Sequence, residues 1–502
     1  MNVLKYLEHS AEAYPEKTAL SYRDNTLSFS TLLAKCAEYA FIIKKIEHEE
    51  CKAVPIGVIV RRNVDSIVHF LSVVYSGNFY IPIDPEAPVE KIKAILEDSK
   101  VSILIGDGDS KSLIDTLEFS GEFISNCDLT FERLEAPIQK EENPPLYMVY
   151  TSGSTGKPKG VLKSHKAEIS FIEAYCETFE FTSDDIIGNQ TPFFFDAAAK
   201  DIYLMLKMGI TMEIIPTEYF PLPTELVDYL NKKRITFASW VPTVLSIVAQ
   251  LNPFSLVKPT TLKKVFFVGE VMPMKHLNLW RKELPDLQYV NLYGQSELCG
   301  ICCYYNVVDE FANDESLPMG VPLKNCEIYL MDGDQVITES GKIGEMYVVS
   351  DALATEYYND PEKTLKSFVY KDFGNGNVRC FKTGDLAQYD KEGNLIFAAR
   401  TDFQIKHMGH RIELGEIETI AGALPEIARC CCLYNNEKKK IVLFCELAKD
   451  SVSTAISIKS TLKTRLSSYM VPGKVVIMDN LPLNANGKID RQKLKLLLKE
   501  GK

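Results

Sequence analysis

No apolar run in the 502-residue chain reaches the roughly 18 to 20 residues that a bilayer span requires, and the opening segment has no basic flank leading into an apolar core. Neither a membrane span nor a secretory leader is expected, and a cytoplasmic location follows. Blocks of positive charge are also missing: the formal charge is −12, from 68 acidic against 56 basic residues spread along the chain. Without a basic stripe to neutralise phosphates, nucleic-acid binding is not expected. The 13 cysteines include no two CxxC clusters at zinc spacing, and the count is odd. Reduced thiols are expected, and the run Cys430, Cys431, Cys432 reads as small apolar strand residues rather than metal or redox chemistry. Internal repeats and low-complexity tracts are absent too.

What is present is a chain long enough for more than one core, since single cores stop growing at about 250 to 300 residues. Short β-rich apolar runs at 146 to 150, 264 to 269 and 288 to 291 each end in polar or glycine residues. Helix-like segments at 222 to 232 and 241 to 251 lie between them, which predicts a parallel sheet with crossover helices. Ligands of such sheets sit at the carboxyl ends of the strands, so the three runs are expected to feed one shared site. After about residue 400 the pattern becomes that of a small α+β unit, with strands near 428 to 434 and 441 to 447, an amphipathic helix around 453 to 467 and a basic terminal helix. The boundary is placed so that residues 1–400 form one domain and 401–502 another.

The segment 150 to 161, Tyr-Thr-Ser-Gly-Ser-Thr-Gly-Lys-Pro-Lys-Gly-Val, follows a strand and gathers three hydroxyls, three glycines and two lysines. Glycines let backbone amides approach an anion, while hydroxyls and lysines donate and supply charge, so the loop is suited to phosphate. Its spacing is not that of a Walker loop. In Asn-Leu-Tyr-Gly-Gln-Ser-Glu at 291 to 297, Tyr293 offers a flat face for adenine and Asn291 an amide for its edge. Ser296 offers a hydroxyl for a phosphate, and Glu297 a carboxylate suited to Mg²⁺. Asp385 in Thr-Gly-Asp can accept from ribose hydroxyls, and Arg400 can donate to ribose or phosphate.

These motifs stand in order with Tyr-Ile-Pro-Ile-Asp-Pro at 80 to 85, Phe-Phe-Asp-Ala at 194 to 197, the 402 to 418 stretch and Asn-Ala-Asn-Gly-Lys-Ile-Asp-Arg at 484 to 491. Together they make the chain resemble the adenylate-forming superfamily of acyl-CoA synthetases, luciferases and peptide-synthetase adenylation domains. The resemblance covers nearly the whole length. It implies an α/β fold, in which a large N-terminal domain of parallel-sheet layers with a small β-barrel-like subdomain is followed by a small, mobile α+β domain. It also implies an AMP-forming ligase that uses ATP and Mg²⁺, the metal on Glu297. The implied nucleotide contacts are Thr151, Ser152, Gly153, Ser154, Thr155, Lys159, Asn291, Leu292, Tyr293, Gly294, Gln295, Ser296, Asp385, Phe397 and Arg400. Lys488 is the implied catalytic lysine and Asp402 the implied hinge, with the 407 to 411 loop turned to the pantetheine path. Gln295 stands where proline is common, Ser296 where threonine is, and Ala399 where glycine precedes the arginine; the 344 to 357 stretch departs most.

Asp196 falls where amino-acid-activating members hold the substrate ammonium, although a helix N-cap would explain it too. Matching positions put Ala197, Lys200, Ser239, Phe266, Val268, Leu292, Gly300 and Ile301 around the substrate side chain. Lys200 is expected to pair with Asp196 at i,i+4, the other possibility being an acidic side chain of the substrate. The length and the 267 to 273 stretch resemble free-standing D-alanine carrier-protein ligases, and no phosphopantetheine attachment motif follows. The favoured function is therefore amino-acid adenylation and transfer to a separate carrier protein. An acyl- or aryl-CoA ligase and a silent carrier-binding scaffold are the other two readings.

Overall fold

The computed structural model describes residues 2–47, 51–125, 132–151, 158–374, 376–400, 404–449, 451–483 and 489–499. They form two compact units, one of Met1–Pro85, Leu96–Val149 and Gly160–Thr401, the other of Glu86–Ile95, Tyr150–Lys159 and Asp402–Lys502. Two short segments upstream of residue 160 thus group with the carboxy-terminal region.

Three sheets build the large unit. The first has nine strands, and its middle six are parallel: Gln288–Tyr293, Lys264–Val268, Phe237–Trp240, Ile186–Asn189, Thr211–Ile214 and Thr18–Tyr22. The second has seven, in the order Glu356–Tyr357, Lys159–Ser164, Pro145–Thr151, Phe79–Ile83, Pro55–Ile59, Ile103–Gly106 and Glu122–Ser125. A third, antiparallel sheet of six strands includes Asn377–Tyr389 and Leu395–Arg400. The apolar runs at 264 and 288 therefore pair side by side, while the run at 146 belongs to a different sheet. Strand patterning fixes which faces are buried, but a run buried on both faces carries no mark of its partner.

Crossover helices begin where side chains can cap them. Asn63 accepts the Ser66 amide at 3.1 Å ahead of Val64–Tyr75, and Ser164 accepts the Ala167 amide at 3.2 Å ahead of His165–Thr178. Leu20, Val58, Tyr147, Phe171, Tyr203 and Val290 belong to one continuous core that both parallel-stranded sheets share, and a second core around Trp240 and Trp280 lies against the strands from 237 to 293. No helix among the described residues is long and apolar enough to cross a membrane.

In the other unit, Ile427–Asn435, Lys440–Leu447 and Lys474–Ile477 make a three-stranded sheet covered by Leu414–Gly422, Ala455–Arg465 and Arg491–Lys499. Cys431 and Cys432 are fully buried within it, and Cys432 shares a core with Leu443, Ile458 and Leu462. The cysteine run is thus strand interior. Met408 and Gly409, both with positive φ (53° and 79°), join Gln404–His407 to His410–Glu413 by a two-residue hairpin.

Candidate active site

Strand Asn377–Tyr389 carries Asp385 directly opposite Arg400 on its antiparallel neighbour. The Asp385 carboxylate is buried and accepts from the Arg400 guanidinium, from the Tyr293 hydroxyl and from Gln295 Nε2 at 2.7 Å. Thr383 holds the same turn, receiving the Asp385 amide at 3.0 Å and donating to the Met346 carbonyl at 2.8 Å. Burial and the adjoining carboxylate push the Tyr293 phenol far above its ordinary range, so it stays a donor. Asp385, the expected ribose acceptor, is thereby held by three protein donors, one of them the expected adenine platform. Gln295, the departure from proline, contacts Asp385 directly, although nothing in the sequence motif ties its side chain to the chemistry.

The Asn291 amide donates to the Pro318 carbonyl at 2.7 Å, and Phe397 on Leu395–Arg400 is 42% exposed. Gly294 admits no side chain: a Cβ there would lie 2.0 Å from the Gly300 carbonyl oxygen. Ser296 and Glu297 occupy the short 3₁₀ turn after strand Gln288–Tyr293, both buried, and Tyr357 donates its hydroxyl to Glu297 Oε1 at 2.7 Å.

The residues fit a nucleotide. In the large unit, Gln295 Oε1 is a buried polar atom with no hydrogen-bond partner among the described residues, and a ligand donor would satisfy it; Thr151 Oγ1, at the end of Pro145–Thr151, is likewise buried without a partner among them. Lys159, at the start of the next strand, is buried as well. Ser152, Gly153, Ser154, Thr155, Asp402 and Lys488 lie outside the described residues. For Mg²⁺ the residues offer Glu297 and no cluster of three or more His, Cys, Asp or Glu among those described. That fits an ion which keeps its waters and takes its remaining ligands from phosphates.

At the expected substrate end, Asp196 precedes helix Ala197–Met208 with helical φ and ψ and no side-chain cap bond, so capping does not account for it. Its carboxylate, 16% exposed, faces Lys163 Nζ at 3.7 Å. Lys200 is buried and pairs with Asp201, whose other oxygen accepts from Asn189 at 2.9 Å; its ammonium lies 5.8 Å from the Phe237 ring centre. The expected Lys200–Asp196 pair is therefore replaced by two others. Asp196 stands at the helix entry and meets the neighbouring strand, while Lys200 is drawn to the acid beside it.

Ala197 is half-buried, as is Val268, whose strand pairs Leu292 against it. Phe266 sits with Phe179 and Phe237 at 4.7 and 4.9 Å between ring centres, so it belongs to a packed aromatic floor. Ser239 Oγ is buried without a hydrogen-bond partner among the described residues. Ile301 is buried, and Gly300 has φ +102° with nothing within 4 Å of the place a Cβ would take.

Beneath Asp196 lies a group the sequence did not reveal. Lys163, fully buried on Lys159–Ser164, donates to the Tyr147 hydroxyl at 3.1 Å, and that hydroxyl donates to Glu168 Oε2 at 3.0 Å. Burial pushes the Glu168 carboxyl up to about 7 against the opposing pull of Lys163. The only sequence signals were a lysine after Gly-Val-Leu in an apolar strand and an acid among Ala167, Ile169 and Phe171. An acid in the first turn of a helix reads as an ordinary partner of the dipole.

The AMP-binding enzyme family matches residues 7–358, and the AMP-binding enzyme C-terminal domain matches residues 416–488. The chain belongs to this family, the adenylate-forming superfamily of AMP-forming ligases. It is 32% identical over 496 residues to a subunit of the linear gramicidin synthase of Brevibacillus parabrevis, covering 97% of this chain but only 9% of that protein. It is 29% identical over 509 residues to zwittermicin A synthase ZmaJ of Bacillus cereus, covering 99% of this chain and 95% of the relative. The chain thus spans a small part of the gramicidin synthase polypeptide and nearly all of ZmaJ. In fold it is similar to the Vibrio cholerae adenylation domain AlmE, solved in complex with glycyl-adenosine-5′-phosphate, with a TM-score of 0.83 and 20% identity over 99% of this chain and 97% of that one.

Proposed function

We propose that the chain activates an α-amino acid as its aminoacyl-adenylate and passes the acyl group to the phosphopantetheine thiol of a separate carrier protein. The observation that carries this is Asp196, a partly exposed carboxylate at a helix entry that no cap bond explains. An ammonium is the group such a carboxylate holds best. A relative named as a linear gramicidin synthase subunit, and a structural neighbour described as an adenylation domain in complex with glycyl-adenosine-5′-phosphate, support the same chemistry.

In this reading the substrate carboxylate attacks the α-phosphorus of ATP, the bond to the β-phosphate bridging oxygen breaks, and pyrophosphate leaves. A thiolate then attacks the acyl carbon and expels AMP. Mg²⁺ held by Glu297 and the phosphates would neutralise charge on the leaving group. Asp385 with Arg400, Tyr293 and Gln295 positions the ribose and α-phosphate end. Ser296, Thr151 and the 152 to 155 loop donate to phosphate oxygens, and Lys488 joins them where charge builds. Asp402 serves as the hinge between residues 1–400 and 401–502, allowing the small domain to serve first adenylation and then thioester formation.

A second reading, an acyl- or aryl-acid CoA ligase, draws on the Lys163–Asp196 contact, because an acid whose charge is already answered has less need of an ammonium. Mass spectrometry of reactions supplied with ATP, mixed amino acids and either a phosphopantetheinylated carrier protein or CoA separates the two. An aminoacyl mass on the carrier is the expected result; acyl-CoA from a fatty or aryl acid with no aminoacyl carrier would overturn the proposal.

A further inference from the structure

The contact that favours the second reading is also the feature that most needs explaining in the first. Lys163 is fully buried and already faces Asp196 at 3.7 Å, so a substrate ammonium arriving on that carboxylate meets a second cation that is itself shielded from solvent. Unbalanced charge inside a protein is costly, and the balance has to come from a neighbouring group.

Glu168 is that neighbour. It is buried, it receives the Tyr147 hydroxyl that Lys163 also contacts, its Oε1 has no hydrogen-bond partner among the described residues, and the Cys299 thiol lies beside the carboxyl group. The Lys163 ammonium also lies 5.0 Å from the Tyr147 ring centre. The titratable groups facing Glu168 are Tyr147, Lys163, Asp196 and Cys299, with Tyr80, Tyr203 and Tyr6 farther off. Burial keeps the Cys299 thiol and the tyrosine phenols neutral near pH 7, so Lys163 and Asp196 are the charged members.

We propose that Glu168, acting through Tyr147 and Lys163, is a positioning residue that frees Asp196 for the substrate ammonium, and that it gives up its proton to solvent when the amino acid binds. Before binding, Lys163 is balanced by Asp196 and Glu168 carries a proton. After binding, the ammonium is balanced by Asp196, and Lys163 by the Glu168 carboxylate across the Tyr147 hydroxyl. One O–H bond breaks and one proton leaves, so the buried charge is the same before and after. Burial lifts the Glu168 carboxyl to about 7, which places the exchange near neutral pH. This inference rests on the amino-acid reading above.

The test is the amino-acid KM in pyrophosphate exchange at saturating ATP between about pH 6 and about pH 8, using the amino acid that best supports exchange. Calorimetric titration of that amino acid in two buffers of different ionisation enthalpy counts the protons released. In the wild type the KM is expected to fall about tenfold as pH rises through this window, with up to one proton released per amino acid bound near the lower end. Glu168→Gln keeps the acceptor for Tyr147 and is expected to give a flat profile at the high, low-pH value, with no proton released. Should that variant fail to fold, Lys163→Met is expected to flatten the profile at a low KM, because Asp196 is then uncontested. A wild-type slope that persists in either variant, or binding without proton release, overturns this proposal alone. Failure of every amino acid to support exchange overturns the amino-acid reading and this proposal with it.

Discussion

At the scale of single residues, two carboxylates do different work because their partners differ. Asp385 is held by one cation and two neutral donors, so Asp385→Ala is expected to loosen Arg400 and Tyr293 as well as the nucleotide. A rise in ATP KM of roughly ten- to a hundredfold, equivalent to about 1.5 to 3 kcal/mol, is expected with the ranking of acids unchanged. Steady-state kinetics with varied ATP checks this; an unaltered ATP KM with a reordered acid preference would show that Asp385 serves the other end of the site. Glu168 is the contrasting case, because its carboxyl sits near 7 when folded and near 4.5 when unfolded. Between those values the unfolded chain loses the proton and the fold keeps it, so stability falls as pH rises from about 4.5 to about 7 and is level above. Replacing the group by Glu168→Gln removes that loss, on the order of 3 kcal/mol. The variant's melting temperature relative to wild type is therefore expected to be higher at pH 8 than at pH 5, and an unchanged difference would place Glu168 in a wetter setting than the structure shows.

At the scale of elements, the turn after strand Gln288–Tyr293 depends on two glycines for opposite reasons. A Cβ on Gly294 would strike the Gly300 carbonyl oxygen at 2.0 Å, whereas Gly300 has free space and only its φ of +102° resists a side chain. Gly294→Ala is expected to lower stability by roughly 1 to 3 kcal/mol or more through forced backbone movement and to impair both substrates. Gly300→Ala is expected to keep the fold and raise the acid KM while sparing that of ATP. Thermal melts alongside the two KM values distinguish them, and equal damage from both would refute this account of the turn. Elements of this kind were largely legible in the sequence: helices at Pro223–Lys232 and Pro242–Leu251, strands at Lys264–Val268 and Gln288–Tyr293, and the strand role of the cysteine run all follow from patterning and punctuation. What patterning did not carry was side-chain partnership across elements. Lys200 has Asp196 at i−4 and Asp201 at i+1, and spacing alone favours the first. Only the place of Lys163 on strand Lys159–Ser164, three elements earlier, takes Asp196 away.

At the scale of the molecule, the chain divides into two compact units and carries two regions matched by the family, and the proposed reaction has two chemical steps. Lys488→Ala is expected to abolish adenylation while largely sparing thioester formation from a supplied acyl-adenylate, and equal loss of both half-reactions would remove the argument for two working arrangements. The motifs made the superfamily legible over nearly the whole chain, because phosphate and ribose impose the same donors and acceptors on every member. The acid substrate imposes no such common pattern, and the proposed acid site draws on residues such as Lys163 and Glu168 that no motif contains. Everything proposed for the acid end depends on Asp196 receiving the ammonium of an amino acid. Exchange of labelled pyrophosphate into ATP, run on wild type and Asp196→Ala across L- and D-amino acids, fatty acids and aryl acids, tests it most directly. The expected result is exchange with one or a few small to medium-sized amino acids, lost by about a hundredfold or more in the variant. Strong wild-type exchange with a fatty or aryl acid, indifferent to Asp196→Ala, would contradict it.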